Sequence, residues 1–237
     1  MSWNALLMPV MSSPSLILME RLSQKSSYIS YRMLKNRVDI NVEHESMKTK
    51  EIVLLPFMIL PIAAYYSSCY RERIDMDVQR FWGVHYQCPP PSKLLGLIKE
   101  LTFCKEFRNL FYYRCGTIGR KLARVSLFFL PIQKLLSFGV NRANFGGGVF
   151  IQHGYCCDIT AHSIGVNFWI NQKVTLGYDS DGYPTIGDNV HIGCGANVVG
   201  NVFIGNYVII GAGTTVVKDV PDNTLVVSQS ARYIDRK

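Results

Sequence analysis

Aliphatic residues recur at every sixth position through the C-terminal half of the chain. A helix would repeat its apolar residues at intervals of three and four, and a half-buried strand would alternate every two. An interval of six is typical of a solenoid in which each hexapeptide supplies one short strand and one corner. The pattern therefore predicts a parallel β-helix with these side chains in its core, and they are Ile164, Ile170, Leu176, Ile186, Ile192, Val198, Ile204, Ile210 and Val216.

Small and turn-forming residues fill the positions between these aliphatic residues. Glycines directly follow several of them and suit corners where a Cβ would clash or φ is positive; they are Gly165, Gly187, Gly193, Gly205 and Gly211. Leu176 and Ile186 are ten residues apart, and the insert between them contains YDSDGYP, so we expect an exposed loop there. The period also shifts by one residue between Ile151 and Ile164. About four coils are predicted from this spacing.

The segment before the repeats has a different periodicity. Between Lys93 and Leu136 the apolar residues are three and four positions apart, which predicts helices. We therefore expect a poorly defined extension with a short apolar segment at 1–72, an α-helical domain at 73–139 and the β-helix at 140–237. The apolar run Ile52–Tyr66 has fifteen residues and two prolines, which is short for a membrane span. Helical or membrane-surface packing and a targeting or anchoring role both stay open for it.

The charge distribution separates the two halves of the chain. The formal net charge is +8, and all of it belongs to residues 1–125, because residues 126–237 hold seven basic and seven acidic residues. No run of five Lys or Arg residues occurs, so nucleic acid is not an expected partner, whereas peripheral association with a membrane surface stays open. Seven cysteines without a C-x-x-C pair predict reduced thiols and a cytoplasmic protein.

Four segments carry a resemblance to a known family: EFRNLFYYRCG, GGGVFIQHG, INQKVTLG and IGDNVHIGCGANVVGNVFIGNYVIIGAGTTVVKDVP. They are similar to the serine acetyltransferase family of hexapeptide acyltransferases, and they resemble most its branch in polysaccharide biosynthesis. The resemblance implies a mainly β fold, a left-handed parallel β-helix preceded by a small helical domain. It also implies a homotrimer that binds acetyl-CoA between neighbouring subunits and transfers its acetyl group to a hydroxyl.

The resemblance assigns the general base to His153, in the segment FIQHG. An alcohol becomes a good nucleophile only while its proton is being removed, and a histidine suits this task near neutral pH. The family also has a carboxylate fifteen residues before the base, but this chain has Phe138 there. Asp158 is the nearest carboxylate after His153 and is the candidate that orients the imidazole; a backbone carbonyl is the alternative.

The acceptor positions depart from the family pattern. Tyr183 stands where the family has a second active-site histidine, and Gln152 replaces the acid before the base. Both changes remove groups that resemble contacts to an amino-acid acceptor, so they favour a hydroxyl on a sugar or polysaccharide precursor. L-serine is the alternative acceptor, and a non-catalytic scaffold subunit is a second alternative. Arg114 matches a family arginine of the helical domain and is expected to be structural.

Small residues match the family positions along which the pantetheine arm of acetyl-CoA lies, although they also suit ordinary corners. They are Gly177, Cys194, Gly195, Ala212 and Gly213. Lys218 and Arg232 are candidates for the phosphates of the cofactor. A zinc hydratase on the same solenoid would need three converging histidines, and His153, His162 and His191 lack the paired spacing of those enzymes, so no metal site is expected.

Overall fold

The computed structural model describes residues 53–128 and 130–229 of the 237-residue chain. Helices occupy the first part of this range, after a short 3₁₀ helix at Leu55–Met58. The helices are α1 (Ile59–Ser67), α2 (Arg71–Tyr86), α3 (Lys93–Phe103), α4 (Lys105–Arg114) and α5 (Gly116–Ser126).

The helices form where apolar spacing and local capping agree. In α2, Ile74, Val78 and Phe81 are buried and lie on one face of the helix. The helix ends at Gln87, whose left-handed φ of 55° allows its N–H to bond the carbonyl of Gly83. In α3 the Ser92 hydroxyl caps the first turn by accepting a hydrogen bond from the N–H of Leu95. A further 3₁₀ turn, Arg142–Asn144, leads into the first coil.

Short parallel strands make up the rest of the described chain. They are β1 (Leu136–Phe138), β2 (Phe150–Ile151), β3 (Cys157–Ile159), β4 (Ser163–Ile164), β5 (Trp169–Ile170), β6 (Thr175–Gly177), β7 (Thr185–Ile186), β8 (His191–Ile192), β9 (Asn197–Val199), β10 (Phe203–Ile204), β11 (Ile209–Ile210), β12 (Thr215–Val216) and β13 (Leu225–Val226).

Three parallel sheets form the walls of the solenoid. Sheet A has the order β1-β3-β6-β9-β12, sheet B the order β10-β7-β4, and sheet C the order β13-β11-β8-β5-β2. The register places the sixth-position aliphatic residues directly above one another; in sheet C, for example, Ile151 pairs with Ile170 and Ile170 with Ile192. These side chains are almost completely buried, and each stabilises the fold by roughly 1.5–3 kcal/mol.

The arrangement is the expected one, a left-handed parallel β-helix of hexapeptide repeats preceded by helices. Sheets A and C each contain five strands, so the solenoid has about five turns rather than about four. The difference arises at both ends of the solenoid. In the first coil the spacing is eight residues from Ile151 to Ile159 and five from Ile159 to Ile164, which hides the period of six. In the last coil the strand Leu225–Val226 follows Pro221 and lies outside the six-residue repeat, although it pairs with β11.

The apolar run near residue 52 is helical over the part that the structure describes, because α1 covers Ile59–Ser67. Pro61 and Ala64 of this helix are buried, whereas Ile59 is 67% exposed. Across residues 53–128 and 130–229, no helix is both long enough and apolar enough to cross a membrane.

Candidate active site

A two-residue bulge projects from the first coil at the corner between sheets C and A. In the next coil, six residues separate Ile170 from Leu176, but eight separate the equivalent Ile151 from Ile159. Backbone bonds from Gln152 to the carbonyl of Ile170 and from the next coil to the carbonyl of Tyr155 fix the alignment on either side. The extra residues are therefore His153 and Gly154, and the solenoid core does not need either of them.

The bulge exposes the imidazole and holds it on an unusual backbone. His153 has a positive φ of 66° and an exposed side chain. This left-handed conformation is uncommon for a residue with a Cβ and persists where the surrounding structure enforces it, often at a functional site. Gly154 continues the turn with a φ of 34° and is itself buried. The predicted base thus stands free of the solenoid wall.

Two carboxylates that could orient the imidazole have different environments. Asp158 is exposed on sheet A, and its Oδ1 accepts hydrogen bonds from the hydroxyls of Ser137 at 3.1 Å and Thr160 at 2.7 Å. Glu106, in the first turn of α4, is 8% exposed, and a Cβ placed on Gly154 would lie 3.0 Å from its Cγ. The structure therefore packs Glu106 against the bulge and engages Asp158 with sheet A.

Phe138, at the family's carboxylate position, belongs to an aromatic cluster. Its ring stacks on that of Tyr113 with a centroid distance of 4.9 Å and lies 6.2 Å from that of Phe145. A charge at this position would be partly buried beside aromatic rings. Glu106 is the functional candidate that sequence reasoning missed, because the segment EFRNLFYYR has no local pattern that indicates what its acid packs against.

Gln152 is held from the neighbouring coil. The indole N–H of Trp169 donates to its side-chain oxygen at 3.3 Å. Below Trp169 on the outer face of sheet C lies His191, with ring centroids 5.0 Å apart. Asn171 lies within hydrogen-bond distance of His191 Nε2, at 3.4 Å. Burial, with a contribution from the positive charge of Arg80, lowers the pKa of His191 to about 4.

Two of the predicted cofactor glycines lie in the same corner as the bulge, in the coils below it. Gly195 has a φ of 69° and Gly213 a φ of 68°, and a Cβ on either would have no atom within 4 Å. The N–H of Gly213 bonds the carbonyl of Cys194, which stacks these two coils directly. Ala212, just before Gly213, is exposed. We call Cys194, Gly195, Ala212 and Gly213 the open corner; it leaves space along the solenoid wall for an extended ligand.

The remaining predicted site residues lie elsewhere. Gly177 ends β6, on the far side of sheet A from the open corner, and the exposed Lys218 follows β12 on that same far side. Tyr183 is 44% exposed in the inserted loop, where its ring packs against that of Tyr178 with centroids 5.1 Å apart. One chain therefore does not bring Tyr183 to His153. Arg232 lies outside the described residues.

Metal ligands do not converge in the part of the chain that the structure describes, where no group of three His, Cys, Asp or Glu residues could hold an ion. His162 is exposed at the start of β4, and His191 lies on sheet C under Trp169. The cysteines among the described residues are free thiols.

Comparison with known proteins gives several relatives that are described as serine acetyltransferases. Residues 183–218 match the family model described as "Bacterial transferase hexapeptide (six repeats)". The chain is 32% identical over 178 residues to the "Probable serine acetyltransferase 2" of Oryza sativa subsp. japonica, covering 70% of this chain and 48% of that protein. It is 41% identical over 134 residues to the serine acetyltransferase of Synechocystis sp., covering 52% of each. The chain thus spans about half the length of these curated relatives.

Two solved structures of similar fold are also serine acetyltransferases. The serine acetyltransferase of Neisseria gonorrhoeae in complex with serine is 25% identical, with a TM-score of 0.51 over 73% of each chain. A serine acetyltransferase complex with CoA is 24% identical, with a TM-score of 0.50 over 74% of each chain. These similarities point to serine acetyltransferases, and they do not support the polysaccharide-biosynthesis branch that the segment EFRNLFYYR had suggested.

Proposed function

We propose that the protein is an acetyl-CoA-dependent O-acetyltransferase whose acceptor is the hydroxyl of L-serine. One observation carries the proposal: His153 stands on a two-residue bulge in the same corner of the solenoid as the open corner of small residues. A thioester lying along that corner would present its carbonyl to the imidazole from below. The arrangement offers a base, an approach for the acceptor and a surface for a long, narrow donor.

The proposed reaction moves one proton and one acetyl group. His153 takes the proton of the acceptor hydroxyl while the oxygen attacks the thioester carbon. The tetrahedral intermediate then collapses, the carbon–sulfur bond breaks, and the departing thiolate of CoA receives the proton from the imidazolium. Backbone N–H groups of the solenoid corner are the proposed donors to the oxyanion. No metal takes part in this scheme.

The remaining roles follow from the positions of the side chains. Gln152, fixed by Trp169, is proposed to contact the acceptor, and Glu106 or Asp158 to orient His153. Lys218 and Arg232 are proposed phosphate contacts. Because Tyr183 lies across sheet A from His153, its acceptor contact would come from a neighbouring subunit of the proposed cytoplasmic homotrimer.

The choice of L-serine is supported by the similar proteins, which are described as serine acetyltransferases. A sugar hydroxyl is the second candidate acceptor, since Gln152 and Tyr183 replace groups that resemble the family's amino-acid contacts.

Release of free thiol from acetyl-CoA tests both candidates. The acceptors are L-serine, homoserine, and nucleotide and oligosaccharide sugars. L-serine is expected to stimulate release. His153→Ala is expected to lower kcat by about 10²- to 10⁴-fold, the usual contribution of a general base. His153→Asn should give the same loss, and because Asn tolerates a positive φ it keeps the bulge intact.

His162→Ala is the matched control, because His162 is an exposed histidine of the same region at the start of β4. Its activity should equal that of the wild type. Stimulation by sugars alone would replace the acceptor. Thiol release that survives in both His153 variants would remove His153 as the base, and the absence of acceptor-dependent release from the wild type would leave the scaffold alternative.

A further inference from the structure

Among the residues that the structure describes, Arg80 has no counter-ion, and it lies beside the candidate site. It lies on α2, and its guanidinium carbon is 5.4 Å from the centroid of the Trp169 ring. Its Nε atom is buried and has no hydrogen-bond partner among residues 53–128 and 130–229. Burial of a charged group is costly unless an opposite charge or hydrogen bonds compensate for it.

The two buried arginines of the described helical region have several hydrogen-bond partners each. Arg108 donates to three backbone carbonyls, one of them from both Nε and Nη2. Arg114, which is completely buried, bonds the carboxylate of Asp77 and two further carbonyls. Arg80 has no equivalent set of partners in the described part of the chain. The lack of partners is therefore specific to the location of Arg80, because the fold provides partners for Arg108 and Arg114.

The two side chains with which Arg80 is shown to interact, Trp169 and His191, carry no negative charge. The indole N–H of Trp169 donates a hydrogen bond to Gln152, and Asn171 lies within hydrogen-bond distance of His191. Burial lowers the pKa of Arg80, and no carboxylate among the described residues offsets that shift. The positive charge reaches His191, whose pKa it helps to lower. The site is therefore electropositive, partly desolvated and walled on one side by an aromatic ring.

The position of this charge relative to the bulge suggests its ligand. Arg80 lies over the same indole that holds Gln152, and Gln152 directly precedes His153. We propose that Arg80 binds the carboxylate of an amino-acid acceptor and places its hydroxyl toward His153. The guanidinium fork fits a carboxylate with two parallel hydrogen bonds. The inference deepens the proposed function, on which its placement of the hydroxyl rests.

Kinetics with a pair of acceptors tests the subsite. Serinol differs from L-serine in having a neutral hydroxymethyl group in place of the carboxylate. Arg80→Gln is expected to raise the KM for L-serine about 10- to 100-fold, the loss of a charge-assisted bond. The KM for acetyl-CoA and kcat/KM for serinol should stay at their wild-type values. Arg80→Lys retains the charge without the guanidinium fork, so its KM for L-serine should lie between the values of the wild type and of Arg80→Gln.

Arg71→Gln is the matched control, since Arg71 is an exposed arginine at the start of the same helix. It should leave both KM values unchanged. A rise in the KM for acetyl-CoA in Arg80→Gln would assign the charge to a phosphate of the donor. A change in oligomeric state would assign it to a carboxylate of another subunit. Unchanged constants would show that no anion binds there, and each of these results overturns the inference.

Equilibrium binding separates this inference from the proposed reaction. Titration calorimetry with L-serine and no acetyl-CoA should show binding to the wild-type chain and about 10- to 100-fold weaker binding to Arg80→Gln. The ring signals of His191 should shift with L-serine in the wild type alone. Binding that depends on Arg80 without any turnover would reject the proposed function and keep the subsite. Absence of binding to the wild type would reject the subsite.

Discussion

At the scale of single residues, Asp158 and Glu106 are the two candidates for orienting His153. The position at which the resembled family has an acid is taken by Phe138, which lies in an aromatic cluster. Asp158 is exposed and already accepts two hydroxyl hydrogen bonds. Glu106 is buried, and in the described part of the chain its carboxylate accepts from the weak thiol of Cys104 at 3.7 Å. Because its side chain is buried with Cγ packed against Gly154, Glu106 is better placed than Asp158 to hold the bulge.

Glu106→Gln is accordingly expected to lower kcat at least about tenfold, with little change in the KM for acetyl-CoA, because an orienting acid acts on the imidazolium of the transition state. The measurement is the pH dependence of kcat/KM, whose acidic limb should move relative to the wild type. A purely structural role of Glu106 would change the stability of the protein and leave the pH profile in place.

Two further variants complete this test. Glu106→Asp, which retains the charge, should recover part of the activity. Asp158→Asn should stay near the wild type, since its oxygen is engaged with Ser137 and Thr160 on sheet A. A large loss in Asp158→Asn together with a small loss in Glu106→Gln would return the role to Asp158.

At the level of the repeated element, corner glycines are of two kinds. A Cβ on Gly165 would lie 2.1 Å from Oδ1 of Asp188 and 2.7 Å from the carbonyl carbon of Gly187 in the next coil. A Cβ on Gly195 would meet nothing within 4 Å. The first kind is needed for the coils to stack, and the second leaves a surface open.

Alanine at these two positions should therefore have opposite effects. Gly165→Ala is expected to lower the free energy of unfolding by roughly 3 kcal/mol, because the neighbouring backbone has to move. Gly195→Ala should cost about 1 kcal/mol for its left-handed φ, yet raise the KM for acetyl-CoA severalfold. Urea unfolding and steady-state kinetics measure the two quantities.

Equal stability losses with no change in the KM for acetyl-CoA would contradict the assignment of the open corner. A matched substitution at a second open glycine, Gly213→Ala, should repeat the result for Gly195→Ala, because both lie in the same corner one coil apart.

The regular part of the solenoid could be predicted from the sequence because each coil repeats the same pattern of an inward aliphatic residue and a tight corner. Ile170, Ile192 and Ile210 are inside, as their spacing indicates. The irregular part could not be predicted in the same way. The packing of Glu106 on Gly154 and of Arg80 over Trp169 joins residues far apart in the chain, and no local period encodes such contacts. His153 was found by resemblance to a motif, and its bulge is visible only as a break in the period.

In the described part of the molecule, the helical region and the solenoid share one buried ion pair. Arg114 of α4 bonds Asp77 of α2, with Nε 3.0 Å from Oδ2, and also the carbonyl of Phe145 at the start of the first coil. Asp77 in turn accepts a hydrogen bond from the N–H of Val149 at 2.9 Å. The expected structural role of Arg114 is therefore confirmed by its position.

Removing one partner of this pair should destabilise the whole protein. Asp77→Asn leaves a completely buried guanidinium without its counter-ion and is expected to cost about 3–5 kcal/mol. Lys93→Gln removes the exposed cation of the pair of Lys93 and Asp75, and because the buried Asp75 keeps its hydrogen bond from Tyr65, the change should cost about 1 kcal/mol. Chemical unfolding followed by circular dichroism compares the two variants. Similar midpoints would show that the buried pair does not join the two regions.

The bulge at His153 and Gly154 has a consequence for how new sites could arise on this fold. The residues on either side of it stay in register with the next coil, so the two extra residues leave the stacking of the coils in place. We expect other corners of the same kind to accept such additions for the same reason. A solenoid can thus acquire a reactive side chain by insertion instead of by replacing a packed residue. A break in the six-residue period therefore marks a position where residues can be varied, in evolution or in design, without changing the packed core.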